Sequence, residues 1–130
     1  MKMYLAIGCG GSIGALLRYL IGTLVPHTGS FPSGTLCINI IGCFAMGYLT
    51  NFLKRRYFAD KSAFAKALTT GMIGAFTTFS TVSLETALLV QDGMTRIGLI
   101  YLACSTAGGL GAILIGLHIS PSPVQKEQSI

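Results

Sequence analysis

Polar side chains recur at helical spacing inside apolar segments of the sequence. Thr77, Thr81 and Glu85 follow one another every four residues, which places them on one face of a helix. Thr35 and Asn39 lie one turn apart in a second apolar segment, and Tyr101 and Ser105 lie one turn apart in a third. Ser80 lies beside the stripe of Thr77, Thr81 and Glu85. Hydroxyl and amide groups are neutral hydrogen-bond donors, so these stripes could replace the water shell of a small solute.

These groups are costly in hydrocarbon unless they find a partner or water. Ser and Thr can bond back to the carbonyls of their own helix, which would explain any one hydroxyl but explains Asn39 and Glu85 less well. An ionisable group inside a membrane span is by default a functional candidate. The three stripes therefore favour a lined pathway, and uncharged donors suit a small hydrated anion better than a metal cation.

Two more side chains could assist an anion. Phe79 lies beside the first stripe and could present the electropositive edge of its ring, with packing as the alternative role. Arg18 would raise the local anion concentration if it lies near an aqueous mouth. The alternative for Arg18 is that its guanidinium reaches the lipid headgroups.

The segments that carry the stripes have the length and composition of membrane spans. Of 130 residues, 52% are hydrophobic and only 10% are charged, whereas a soluble domain has about 25% charged residues. Roughly 20 apolar residues in a helix cross the hydrocarbon core. Four windows meet this requirement, at about 3–25, 33–53, 68–90 and 97–119. We therefore predict one all-α transmembrane domain over 1–119, followed by a polar tail over 120–130.

The net charge of +5 is concentrated at one membrane surface, which argues against nucleic acid as a partner. With four spans, both termini and the loop between the second and third spans share a side. That side collects seven cations: Lys2, Lys54, Arg55, Arg56, Lys61, Lys66 and Lys126. The opposite side has Arg96 and at most Arg18. We therefore predict a protein of the inner (plasma) membrane. By the positive-inside rule, its two termini face the cytoplasm.

Glycine is abundant, at 17 residues, and its spacing suits close helix packing, as with Gly10 and Gly14. Four spans form a bundle too thin to enclose a pore easily, so we predict self-association. In the third span, the run "GMIGAFTT" predicts a break in the helix. Unwound backbone at membrane depth is tolerated where it is buried in protein or lines a cavity, and its freed carbonyls could hold a small cation.

The motifs of all four spans, taken together, resemble those of the Fluc (CrcB) fluoride channels. The matching stretches are "GGSIGALLRY", "GTLCINIIGCFAMG", "TTGMIGAFTTFSTVSLE" and "YLACSTAGGLGAILIG", in that order. The resemblance implies an antiparallel, dual-topology dimer whose two narrow pores export fluoride passively and confer fluoride resistance. It also implies a sodium ion on the dimer axis, held by the backbone carbonyls of Gly74 and Thr77.

The resemblance also assigns a vestibule residue, Arg18, and a fluoride pathway. The pathway residues are Thr35, Asn39, Phe79, Ser80, Thr81, Val82, Glu85, Tyr101 and Ser105. Val82 departs from the family's usual Phe-Ser-Thr-Phe motif, and an aliphatic side chain has no electropositive edge. A homodimer would then have altered pores, whereas a heterodimer would take the missing ring from its partner. The strong cation bias fits a chain that inserts one way, as half of a heterodimer; a homodimer is the alternative.

Two other functions fit a four-span chain of this size. A proton-coupled multidrug exporter needs a titratable carboxylate deep in the bundle, and Glu85, the one candidate, lies nearer the end of its span. A non-conducting partner subunit would fit the loss of the second ring at Val82. None of the three is an enzyme.

Overall fold

The computed structural model of the chain describes residues 1–24, 29–57 and 63–120, with backbone alone at 54–57. The predicted tail over 120–130 lies outside these residues except for Ser120. Residues 58–62 of the cation-rich loop between the second and third spans, including Lys61, also lie outside them.

All regular structure within these described ranges is helical. The helices are α1 (Lys2–Leu24), α2 (Ser33–Tyr57), α3 (Ala63–Lys66), α4 (Gly74–Phe76), α5 (Phe79–Gln91) and α6 (Thr95–Ile119), and a π-helical segment, Ala67–Ile73, joins α3 to α4. Across the described part of the chain, four stretches are long and apolar enough to span a membrane: Lys2–Leu24, Ser33–Leu53, Ala63–Gln91 and Thr95–Ile119. The all-helical, four-span prediction is confirmed.

The third span begins earlier than the sequence windows indicated. Its helix starts at Ala63, five residues before the predicted Leu68. Alanine has the highest helix propensity, so "AFAKA" extends the span through a single lysine. A hydropathy window drawn to exclude Lys66 therefore misses the first turn of this helix.

Small residues bring α1 into backbone contact with the third span. A methyl group at Gly10 would overlap the carbonyl of Ala67, and one at Gly14 would overlap the carbonyl of Met72. Both overlaps fall on main-chain atoms, which cannot turn aside as a side chain can. The predicted packing role of these glycines is confirmed, and the contact lies along the π-helical segment.

Glycines also join α2 to α6. A methyl group at Gly47 would overlap the carbonyl of Ile113, and one at Gly116 would overlap the carbonyl of Phe44. Each helix thus lays a glycine against the backbone of the other, which is how helices approach closely where packing replaces the hydrophobic drive.

Two extended residues separate α4 from α5. Thr77 has φ −77° and ψ 153°, and Thr78 has φ −146° and ψ 124°. Thr78 then caps α5, because its Oγ1 accepts a hydrogen bond from the Thr81 N–H at 3.1 Å. The helix α2 passes close by, since a methyl group at Gly42 would overlap the Thr77 side chain.

Candidate functional site

The Glu85 carboxylate is held between two other helices. The Thr35 hydroxyl on α2 donates to Oε1 at 2.9 Å, and the Tyr101 hydroxyl on α6 donates to Oε2 at 2.5 Å. Hydrogen bonds to an ionised acceptor are short and strong. The polar stripes of three predicted spans therefore meet at one carboxylate.

The Tyr101 ring and Val82 lie inside the protomer. Tyr101 is 0% exposed and Val82 2% exposed, and both belong to an apolar cluster with Leu89. The ring of Phe31 contacts Tyr101 edge-on, with centroids 5.6 Å apart. Packing on the ring and Glu85 on the hydroxyl thus fix Tyr101 in one orientation.

Asn39 pairs with the main chain of the extended segment. Its Nδ2 donates to the Thr78 carbonyl at 2.9 Å, and its Oδ1 accepts from the Thr78 N–H at 2.8 Å. Both residues are buried, so Asn39 satisfies the Thr78 N–H, which the interruption of the helix leaves without a helical acceptor, and adds a donor to the Thr78 carbonyl. A carboxamide carries two N–H bonds, so one is left over for a solute.

Sequence reasoning missed Thr78, which connects the predicted hydroxyls. Its Oγ1 donates to Thr81 Oγ1 at 3.0 Å and lies 3.2 Å from Ser80 Oγ, so the three hydroxyls form one network. The signal for Thr78 was available: a threonine directly before a helix is a preferred N-cap, and its side chain then bonds the residue three positions on.

A crevice of ≈ 290 Å³ lies between α2, the extended segment and α6. Asn39, Thr78 and Ser105 contribute polar groups to its wall, and Phe79 and Val82 contribute apolar ones. Ser105 Oγ is buried and makes no hydrogen bond of acceptable geometry within the described residues. Buried polar groups normally have partners, and the Tyr101 hydroxyl lies one turn earlier on α6, so Ser105 can donate either to that oxygen or to a solute in this crevice.

A second crevice, of ≈ 330 Å³, lies between the C-terminal half of α1, the start of α2 and α5. Arg18, Thr81 and Glu85 line it, together with Thr35. Thr78 contributes to the walls of both crevices. The two cavities therefore flank the extended segment and share Thr78 in their walls.

The sequence matches, over residues 5–117, the family described as CrcB-like protein, Camphor Resistance (CrcB). The chain belongs to this family. Three relatives share much of its length. They are "Fluoride-specific ion channel FluC" of Oceanobacillus iheyensis (38% identical, over 92% of this chain and 92% of the relative), "Fluoride-specific ion channel FluC 2" of Geobacillus kaustophilus (42%, over 96% and 97%) and "Fluoride-specific ion channel FluC" of Ruminiclostridium cellulolyticum (44%, over 85% and 86%).

The family match confirms the resemblance on which the sequence prediction rests. Since the described residues include four helices able to cross a bilayer, this CrcB-family chain is a multi-pass membrane protein. The matched range contains every predicted site residue.

The exposed side of the extended segment carries three predicted site residues of the CrcB-family chain. Phe79 is 75% exposed, and Ser80 and Gly74 are exposed as well. On a membrane-spanning helix, a ring this exposed contacts either lipid or the apolar surface of another protein.

The predicted cation ligands, Gly74 and Thr77, have lost the helical partners of their carbonyls. In a continuous helix these carbonyls would accept from the N–H groups of Thr78 and Thr81. Here the Thr78 N–H bonds to Asn39, and the Thr81 N–H bonds to the Thr78 hydroxyl. The Gly74 oxygen receives a long contact from Thr77 Oγ1, at 3.4 Å. Such carbonyls are the ligands that sodium finds at broken membrane helices.

Proposed function

We propose that this chain forms a fluoride-selective channel that exports cytoplasmic fluoride by passive electrodiffusion and so confers fluoride resistance. One observation carries the proposal: two crevices that contain hydroxyl and amide donors share a buried threonine, Thr78, in their walls beside the interrupted helix. Relatives named as fluoride-specific ion channels support it over nearly the whole chain.

The crevice that Arg18 lines forms one mouth of the pathway, because a guanidinium raises the local concentration of anions. The hydroxyl of Thr81 and the network around Thr78 replace part of the water shell of fluoride. Beyond Thr78, the spare N–H of Asn39, the Ser105 hydroxyl and the edge of Phe79 are within the same crevice. A narrow set of neutral donors favours a small anion over chloride, which is larger and less strongly hydrated.

In this pathway the Glu85 carboxylate is hydrogen-bonded to other side chains and is not an unpaired charge. Both carboxylate oxygens already accept hydrogen bonds, from Thr35 and Tyr101, which spreads the negative charge that would otherwise repel an anion. The same engagement argues against a proton-coupled drug exporter, which needs this carboxylate to exchange protons with a cationic substrate.

The pores form between two antiparallel protomers, and the face around exposed Phe79 is the one that the partner covers. The partner is a second copy or an oppositely oriented paralogue. The cation bias of the sequence supports a paralogue, and so do the numbered names of relatives, FluC 2 in Geobacillus kaustophilus and FluC 1 in Moorella thermoacetica. Val82 is buried in its own protomer, so any ring that replaces the family's second phenylalanine comes from the partner.

A sodium ion on the dimer axis fits the carbonyls of Gly74 and Thr77. Both have lost their helical donors, and Gly74 is exposed. When bound, the ion would neutralise carbonyl dipoles from both protomers and so hold them together.

Flux from liposomes tests this function. The purified chain is reconstituted alone, and separately with any paralogue from the same genome, and fluoride efflux is recorded against chloride efflux from the same vesicles. We expect fluoride flux with negligible chloride flux, in at least one of the two preparations. Retention of fluoride in both preparations would contradict the channel proposal and would favour the alternative of a non-conducting partner subunit. Full activity of the single chain would end the heterodimer hypothesis.

Replacing Phe79 with isoleucine should reduce fluoride flux at least about tenfold, or 1.4 kcal/mol in barrier, because an aliphatic side chain offers no electropositive edge. Phe64→Ile is the matched control, since Phe64 is 63% exposed and lies outside both crevices. Both variants should elute as wild type on size exclusion. Equal flux in the two variants would remove Phe79 from the pathway.

A further inference from the structure

We infer that Asn39 is a positioning residue for the cation site: its carboxamide holds the Thr78 N–H away from the Gly74 carbonyl and so keeps that carbonyl free for a monovalent cation. This inference rests on the proposed dimeric channel and its axial sodium ion. It gives Asn39 a second role besides offering an N–H to the permeating anion.

The paired hydrogen bonds of Asn39 require an extended residue. In an extended strand, the N–H and C=O of one residue point the same way, so a neighbour can bond both at once. In a helix, these two groups point in opposite directions along the axis, and one carboxamide cannot reach both. With bonds of 2.8 and 2.9 Å to the same residue, the Asn39 side chain replaces the partner strand and selects the extended conformation of Thr78.

The position of this carboxamide is fixed by α2. Asn39 is 7% exposed and Thr78 8% exposed, so both groups are largely withdrawn from water. One turn along α2, Gly42 has no side chain to separate this helix from Thr77, whose methyl group would overlap a Cβ there. The close approach of α2 to Thr77 at Gly42 therefore brings the Asn39 carboxamide within hydrogen-bonding distance of the Thr78 main chain.

Loss of the carboxamide would have a defined consequence at Gly74. A buried, unpaired Thr78 N–H costs about 1–3 kcal/mol, and the acceptor that a continuous helix offers it is the Gly74 carbonyl. Rewinding of this turn would satisfy the N–H and withdraw the carbonyl from the exposed face. Asn39 thus controls the number of cation ligands without touching the cation.

Sodium titration of thermal stability tests the inference without reference to fluoride flux. The dimer in detergent is melted over a series of sodium concentrations, with N-methyl-D-glucamine keeping ionic strength constant, and the sodium midpoint of the Tm increase is measured. Asn39→Leu, which is similar in volume but has no acceptor, should raise this midpoint at least about tenfold. Asn39→Asp keeps the acceptor for the Thr78 N–H and, when protonated, a donor for the Thr78 carbonyl, so at a pH where it is protonated it should bind sodium no more weakly than wild type.

Thr35→Val is the matched control, because it removes a hydrogen bond between α2 and α5 at Glu85 rather than at Thr78. Its Tm should fall at every sodium concentration, with the midpoint unchanged. A parallel fall in Tm with an unchanged midpoint in Asn39→Leu would reduce Asn39 to a stabilising residue and overturn the inference. If that variant does not fold, a tenfold weaker midpoint in protonated Asn39→Asp would overturn it equally.

The failure of this inference can be told apart from failure of the channel proposal. A wild-type protein whose Tm responds to sodium but which moves no fluoride would contradict the channel alone. A conducting wild type whose Tm is indifferent to sodium would contradict the cation site and, with it, the positioning role of Asn39.

Discussion

Gly14→Leu is expected to abolish assembly of the folded bundle. A Cβ at Gly14 would collide with the carbonyl oxygen, the carbonyl carbon and the Cα of Met72. All three are main-chain atoms of the third span. No rotamer change can relieve this overlap, so α1 would have to move away. Overpacking costs about 1–3 kcal/mol where side chains can adjust, and more where backbone must shift. We therefore expect loss of the monodisperse peak in size exclusion of the detergent-solubilised protein.

Gly8→Leu is the matched control for this prediction. Gly8 lies on the same helix, and a Cβ there would meet no atom within 4 Å. The added leucine would lie on the exposed side of α1, where an apolar side chain suits lipid. Comparable yield and Tm for the two variants would show that α1 does not contact the third span in this register.

The fold could be predicted from the sequence because membrane spans have a strong compositional signal. The four apolar windows fix the number of helices, and the interval between Gly10 and Gly14 indicates a close contact. The partner of that contact was beyond sequence reasoning. Small residues signal that a backbone approaches, yet nothing in their spacing states that the backbone belongs to Met72.

The candidate site could be predicted to the extent that it is periodic. The interval of four residues from Thr81 to Glu85 places both side chains on one face, and both line one crevice. The contact between Asn39 and Thr78 has no such signal, since it joins a side chain to main chain 39 positions away. The sequence indicates that Asn39 is polar and lies inside a span. It does not distinguish an asparagine that donates to a solute from one that bonds to main-chain groups.

The second large effect is expected at Glu85, where three helices share one carboxylate. Glu85→Leu would leave the Tyr101 hydroxyl, on a residue 0% exposed, without its acceptor, and would free the Thr35 hydroxyl as well. Hydrogen bonds to a charged group contribute about 1.5–3 kcal/mol each. We expect a large drop in Tm and loss of fluoride flux, measured on the same detergent and liposome preparations.

Separate variants distinguish the carboxylate's two tasks, which are to hold the helices and to line the pathway. Tyr101→Phe removes one bond and leaves the apolar packing of the ring, so Tm should fall by the equivalent of about 1.5–3 kcal/mol. If Glu85 lines the pathway, Glu85→Leu should reduce flux below that of a Tyr101→Phe, Thr35→Val variant of equal or lower Tm. If flux follows stability across all these variants, Glu85 acts on permeation only by joining α2 and α6 to α5. Flux that survives in a stable Glu85→Leu protein would exclude it from the pathway altogether.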